Sequence, residues 1–157
     1  MANKIIQLKD SQGNNLYPVM TCNIDELASG TGIEKRKLLW TNASPTSNFA
    51  AQALTSSDFI GGLDLSSFQF IEIHFIASTS YNSNVVRTVA VGQVINAQIV
   101  TDVTTAYTMY VAQRAASTSS SGITFEDAYY KSVTSTAVGA KNNNRLVPYK
   151  IYGIKGV

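Results

Sequence analysis

Charge is what this sequence has least of. Lys and Arg number 12 and Asp and Glu 10 among 157 residues, 14% in all, against roughly 25% in an average soluble protein. The formal net charge is +2, and apart from the run Glu34-Lys35-Arg36-Lys37 the basic residues are scattered. Useful non-specific binding to a phosphate backbone needs several neutralised phosphates side by side. Nucleic acid is therefore not an expected partner, and the short basic run reads as a solvated hinge. Cysteine is nearly absent too: Cys22 is alone, which excludes an intrachain disulfide and every paired-Cys or Cys/His metal spacing. No run approaches the 18 or so apolar residues that span a bilayer, and the opening Met-Ala-Asn-Lys lacks the apolar stretch of a secretory signal. The expectation is synthesis in the cytoplasm without membrane insertion. Gly61-Gly62 has no phosphate loop around it, so no cofactor is expected.

What is abundant is uncharged polarity: 17 Ser, 15 Thr and 12 Asn. Hydroxyl and amide groups cost less to desolvate than charges, so such a surface suits contact with sugars or with sibling subunits. A chain of 157 residues is about one domain long and can bury roughly 70% of the surface that its unfolded form exposes, so its core needs neither metal nor disulfide.

Residues 4–20 read as a small hairpin. Ile5-Ile6-Gln7-Leu8 is rich in strand formers, 10–15 are dense in turn formers, and Leu16-Tyr17-Pro18-Val19 resumes the strand. Pro18 cannot donate to a ladder and confines that arm to an edge. Residues 21–27 can hold about two helical turns, with Thr21 or Asn23 as cap and Asp25 and Glu26 against the positive end of the helix dipole. A linker follows at about 28–37, which divides residues 1–37, an attachment or oligomerisation segment, from 38–157. From Leu38 on the period is two: Gln69, Ile71, Ile73, Phe75 and Ala77 share one face, Val85-Arg87-Val89-Val91 alternates with Val86-Thr88-Ala90, and Tyr107-Met109-Val111-Gln113 alternates with Thr108-Tyr110-Ala112-Arg114. Further strands are expected at 38–41, 49–55, 94–101, 122–126, 129–134 and 146–154. Short strands separated by Ser, Asn and Gly loops predict an all-β fold, an antiparallel β-sandwich (jelly-roll-like) carrying the N-terminal hairpin and helix.

Several runs resemble small tail-fibre, baseplate or receptor-binding minor structural proteins of tailed phages and prophages. They are Ile6-Gln7-Leu8-Lys9-Asp10 with Leu16-Tyr17-Pro18-Val19, Leu38-Leu39-Trp40-Thr41-Asn42 with Phe49-Ala50-Ala51-Gln52 and Leu63-Asp64-Leu65-Ser66, Phe125-Glu126-Asp127-Ala128-Tyr129-Tyr130, and the closing stretch from Asn142 to Lys155. Residues 54–62 are longer than that family's usual link, and Asp127-Ala128 stands where it more often has Asp-Gly. The resemblance implies a homotrimeric β-sandwich head on an N-terminal shoulder, part of the virion tail, docked to other tail or baseplate proteins and contacting host cell-surface saccharide. A purely structural connector is the alternative, and a saccharide depolymerase the third reading.

The residues weigh against catalysis. His74 is the only histidine, so a Ser-His-Asp triad or a metal cluster would have to be built around its strand; a satisfied, partly buried histidine is the plainer reading. A glycosidase needs two carboxylates facing one cleft, and Glu126 and Asp127, adjacent on a strand, point to opposite faces. No catalytic or metal-binding residue is expected. Saccharide binding is the sharper hypothesis, because aromatic faces pack on sugar C–H groups while amides donate and accept. The residues at loops and strand ends that fit it are Tyr81, Asn82, Asn84, Tyr129, Tyr130, Asn142, Asn143, Asn144 and Arg145. For each aromatic, packing is the competing reading. Trp40 and Tyr149 lie inside strands and read as core or interface.

Overall fold

Residues that alternate with period two build two sheets around one apolar layer. The computed structural model describes residues 4–6, 20–22, 35–78, 81–103, 109–136 and 139–156. The chain divides into two compact units, Met1–Lys35 with Val157, and Arg36–Gly156. In the first, β1 (Lys4–Ile6) pairs antiparallel with β2 (Met20–Cys22), Lys4 opposite Cys22 and Ile6 opposite Met20. The first arm overlaps the expected one and pairs with Met20–Cys22; the expected second arm, Leu16 to Val19, lies outside the described residues. Thr21 and Cys22, expected to open a helix, belong to a strand instead, since pairing with Ile5 and Lys4 satisfies backbone groups that two marginal helical turns would leave half-satisfied. The rest of the expected helix lies outside the described residues.

The second unit is an antiparallel all-β sandwich. One sheet has the order β3 (Lys35–Thr41), β12 (Val147–Lys155), β5 (Phe70–Ser78), β6 (Tyr81–Ala90). The other runs β11 (Ala140–Lys141), β10 (Tyr129–Ser132), β8 (Met109–Ser119), β9 (Gly122–Phe125), β4 (Gln52–Thr55), with β7 (Val94–Val103) also paired to β8. That second sheet forks: one half of β8 pairs with β10 and the other with β9. Lys35 to Lys37 were expected in the linker and hinge, but they begin β3.

The alternation read from sequence is the alternation of the core. Ile71, Ile73, Phe75 and Ala77 of β5 are buried, as are Ile95 and Ala97 of β7, Ala112 and Ala116 of β8, Ile123 and Phe125 of β9, and Val147 and Ile151 of β12. Phe49 lies edge-on between Trp40 and Phe125, with centroids 6.2 and 5.4 Å away, and Phe125 meets Phe75 in the same manner. Trp40 is partly buried against this cluster. At the corner where β6 passes from one sheet to β7 in the other, the buried Thr118 accepts from the N–H groups of Gly92 (3.0 Å) and Gln93 (3.2 Å) and its hydroxyl reaches the Gln93 carbonyl (2.9 Å). Gly61 and Gly62 form a turn with positive φ, 77° and 63°.

Candidate functional site

Tyr129 and Tyr130 are consecutive on β10, so their side chains leave opposite faces of the sheet. Tyr130 lies beside Ala112 on the inner face, and Tyr129 beside Gln113 on the outer. Tyr130 stacks parallel on Tyr110, centroids 4.9 Å apart and planes 2° from parallel, and the Arg145 guanidinium stands 4.8 Å from the Tyr130 centroid. All three side chains are half-buried. Tyr130 therefore presents its edge and hydroxyl rather than an open ring face, and its two neighbours complete a planar stack of two phenols and one guanidinium.

The turn from Asn142 to Leu146 holds Arg145 in that stack, and it is fixed from every side. The Asn142 N–H donates to the Ala128 carbonyl (2.8 Å) and the Arg145 N–H to the Asn142 carbonyl (3.1 Å). Asn143 is buried; its Oδ1 accepts from the Ala128 N–H (2.8 Å), its Nδ2 donates to Asp127 Oδ1 (2.7 Å), and its carbonyl accepts from Phe49 N–H (3.1 Å). Leu146, fully buried, closes the turn in the left-handed region at φ 47°. A branched residue held there costs of order 1–3 kcal/mol, a strain that persists only where its surroundings over-determine it.

Much of that determination comes from Arg114, on the inward face of β8 and fully buried. Its guanidinium donates to the carbonyls of Glu126 (2.6 Å) and Phe49 (2.9 Å) and, at 3.4 Å each, to those of Asn143 and Arg145. It also lies 5.3 Å from the Phe49 ring. Burial pulls its pKa down to about 10, against an opposing pull from the Asp127 charge, so it remains a cation at neutral pH. Asp127 ties the same loops together: its Oδ1 accepts from the Ala51 N–H (2.9 Å) as well as from Asn143, and its Oδ2 pairs with Lys141. The Lys141 bond, then those from Ala51 and Asn143, hold the Asp127 pKa down to about 2.

That depression fixes a pH dependence. A carboxyl whose folded pKa lies below its unfolded value stabilises the fold above the unfolded value, and the contribution disappears as pH falls through the folded one. Wild type is expected to melt above Asp127→Asn at neutral pH, because the amide would turn a donor toward the Lys141 ammonium, and the gap should close as pH is lowered from about 4 to about 2. Melting curves of both proteins across that range check it; a gap independent of pH would refute the role given to Asp127.

Comparison with family models, with curated proteins and with solved structures returns no match.

Of the residues singled out in the sequence, the structure gathers Tyr130 and Asn142 to Arg145 at one end of the sandwich. Backbone register brings the start of β6 to the same end: Tyr81 pairs with Ser78, and Asn84 lies beside Ile76, which lies beside Val147. The side chains of Tyr81 and Asn82 lie outside the described residues. Asn144 is exposed and Asn142 half-buried, whereas Asn143 is an internal strut. Tyr129 stands apart on the outer face. Tyr110 and Arg114 were not singled out, although both lie on the β8 face shared with Ala112 and Ala116, which alternation alone buries.

His74 sits on the outer face of the other sheet. Its Nε2 lies 2.6 Å from Glu72 Oε1 and its Nδ1 3.3 Å from the Tyr149 hydroxyl. Arg36 donates to the same Glu72 oxygen and lies 3.4 Å from the Tyr152 ring centroid. Burial pushes the Glu72 pKa up, but the bonds from His74 and Arg36 outweigh it and leave it below the usual range. This network ties β3, β12 and β5 together across the sheet. Among the described residues no group of three His, Cys, Asp or Glu side chains is placed to hold a metal ion.

Proposed function

We propose that this chain is an adhesive component of a phage tail, assembled as a homo-oligomer, which binds host cell-surface saccharide at the end of the sandwich formed by the Tyr110, Tyr130 and Arg145 stack, the Asn142 to Leu146 turn and the start of β6. The phage assignment rests on the resemblance of the sequence runs. The observation that carries the binding reading is the over-determined turn. A buried guanidinium, a buried amide and a left-handed leucine all act to hold one half-buried arginine against two phenols beside the exposed Asn144. Preorganised polar groups lose little entropy when a ligand arrives, and a stack of planar groups with hydroxyl and guanidinium edges offers donors and acceptors in fixed positions.

The adhesive reading is favoured over a hydrolytic one by the state of the carboxylates. Asp127 is committed to three partners and held at about pKa 2, unsuited to deliver a proton, and Glu72 is clamped between Arg36 and His74 on the opposite sheet.

Whole-cell attachment and a glycan array test the reading. Arg145→Ala and Tyr110→Ala are each expected to weaken binding by roughly tenfold or more, the scale of about 1.4 kcal/mol, with the strand circular dichroism intact. Failure of the wild type to attach to any susceptible cell or saccharide, with stable docking to another tail protein, would establish the connector instead.

A further inference from the structure

Exposed apolar side chains are unevenly distributed over this molecule. Among the described residues five of the eight large ones, Val94, Val100, Met109, Tyr129 and Val133, lie along β7, β8 and β10 and are between 43% and 60% exposed. Register puts them on one surface. Val94 lies beside Ser117, Asn96 beside Ala115, Gln98 beside Gln113 and Val100 beside Val111. Gln113 in turn lies beside Tyr129 and Val111 beside Lys131, and the Val133 N–H reaches the Met109 carbonyl (2.8 Å). Since Ile95, Ala97, Ala112 and Ala116 are buried, alternation turns all of these partners outward.

The same surface lacks charge where the two long strands meet. From Val94 to Val100 no residue is charged, and the one charged residue of β8, Arg114, points inward. Among the described residues Lys131 lies on this face beside Val111, Glu126 and the Asp127-bound Lys141 flank it, and Arg87 reaches the Gln98 carbonyl (3.4 Å) at the β7 edge. Exposed valine, methionine and tyrosine side chains interleaved with uncharged amides, and few charges among them, have the composition of an interface.

We infer that the outer face of β7, β8 and β10 is covered by a second copy of this chain. Amides at Asn96, Gln98 and Gln113 both donate and accept, so identical surfaces can bond to one another without a matching partner chemistry. Glu126 and Lys131 carry opposite signs that two copies can exchange, while the stretch from Val94 to Val100 is uncharged and imposes no like-charge repulsion. A saccharide fits this face less well. It offers Val and Met where sugar faces call for flat rings, and Tyr129 is its one exposed aromatic among the described residues. The inference rests on the homo-oligomer half of the reading above and is independent of the saccharide half.

Mass in solution decides it. The wild type at micromolar concentration should elute and scatter light as a multiple of 16.9 kDa. Val100→Asp and Gln113→Lys, each adding a charge to this face, should both return it to 16.9 kDa with circular dichroism unchanged. Val86→Asp, exposed on the opposite sheet, should leave the oligomer intact. If Val100→Asp fails to fold, Gln113→Lys decides alone. A wild-type monomer would overturn both the homo-oligomer reading and this inference. An oligomer that survives the two charged variants, or one that Val86→Asp also dissociates, would overturn this inference and leave that reading standing. Saccharide binding lost in Val100→Asp from a monomeric wild type would make the face a ligand site and overturn the inference as well.

Discussion

Replacing Arg114 by methionine is expected to lower stability by about 2–6 kcal/mol, from about 1–3 kcal/mol for each of the two carbonyls it bonds most closely. For a domain of this length that corresponds to a fall of about 10 °C in melting temperature. The guanidinium serves four carbonyls from three separate segments, at Phe49, Glu126 and the Asn143 to Arg145 turn. Methionine fills similar volume but donates nothing, so carbonyls that folding has removed from water lose a donor. Each such orphan costs about 1–3 kcal/mol, moderated here because Asn143 keeps its bond from Phe49. Relief from burying a charge, visible in the lowered pKa, works in the opposite direction but does not restore the carbonyls. Arg114→Lys should recover part of the loss, since one ammonium cannot reach acceptors spread around a planar fork. Thermal denaturation of the three proteins measures this. A methionine variant within 1 kcal/mol of wild type would show that the carbonyl cage contributes little.

Gly122→Ala is expected to cost about 2–3 kcal/mol, at the upper part of the overpacking range. Gly122 begins β9 opposite Thr55 of β4 and is buried. A methyl group there would press into the backbone carbonyl of Leu54 and come within 3.2 Å of the Thr55 Cα. These are ladder atoms and cannot swing aside, so β4 must move off β9 or the β8–β9 turn must open. The smaller unfolded-state gain from replacing glycine, about 0.4–1 kcal/mol, does not offset this. Gly153→Ala is the informative control: its added methyl would meet the ring of Phe68, a side chain that can rotate, so its cost should be lower. Chemical denaturation of both variants distinguishes a backbone clash from a side-chain one, and equal losses would refute the distinction.

The sandwich was legible because its physics is local. Ile71, Ile73, Phe75 and Ala77 alternate with Glu72, His74 and Ile76, and such a pattern buries one face whatever the partner strand is. Strand limits moved where neighbours decided them: β3 starts at Lys35 rather than Leu38 and β8 runs on to Ser119, because pairing with β9 carries it past the polar residues Ser117 and Ser119. The candidate site was legible only in part. Asn142 to Arg145 read as one polar loop, yet whether an amide bonds to water or to the chain depends on Asp127 and Ala128, some fifteen residues earlier. Arg114 was hidden for a related reason. A charged residue in an alternating strand is assigned to solvent unless four carbonyls from distant loops converge on it, and no spacing in the sequence announces that convergence. Tyr129 and Tyr130, read together as ligand contacts, separate because neighbouring strand positions face opposite ways.

The position of β12 governs how this molecule can be made. It runs between β3 and β5, so β3 cannot join the sheet begun by the β5–β6 hairpin until residues 147–155 have been made. Until then β3 lacks its ladder partner and one edge of β5 stays open. Assembly of that sheet is a late, long-range event, of the kind that takes milliseconds to seconds rather than microseconds.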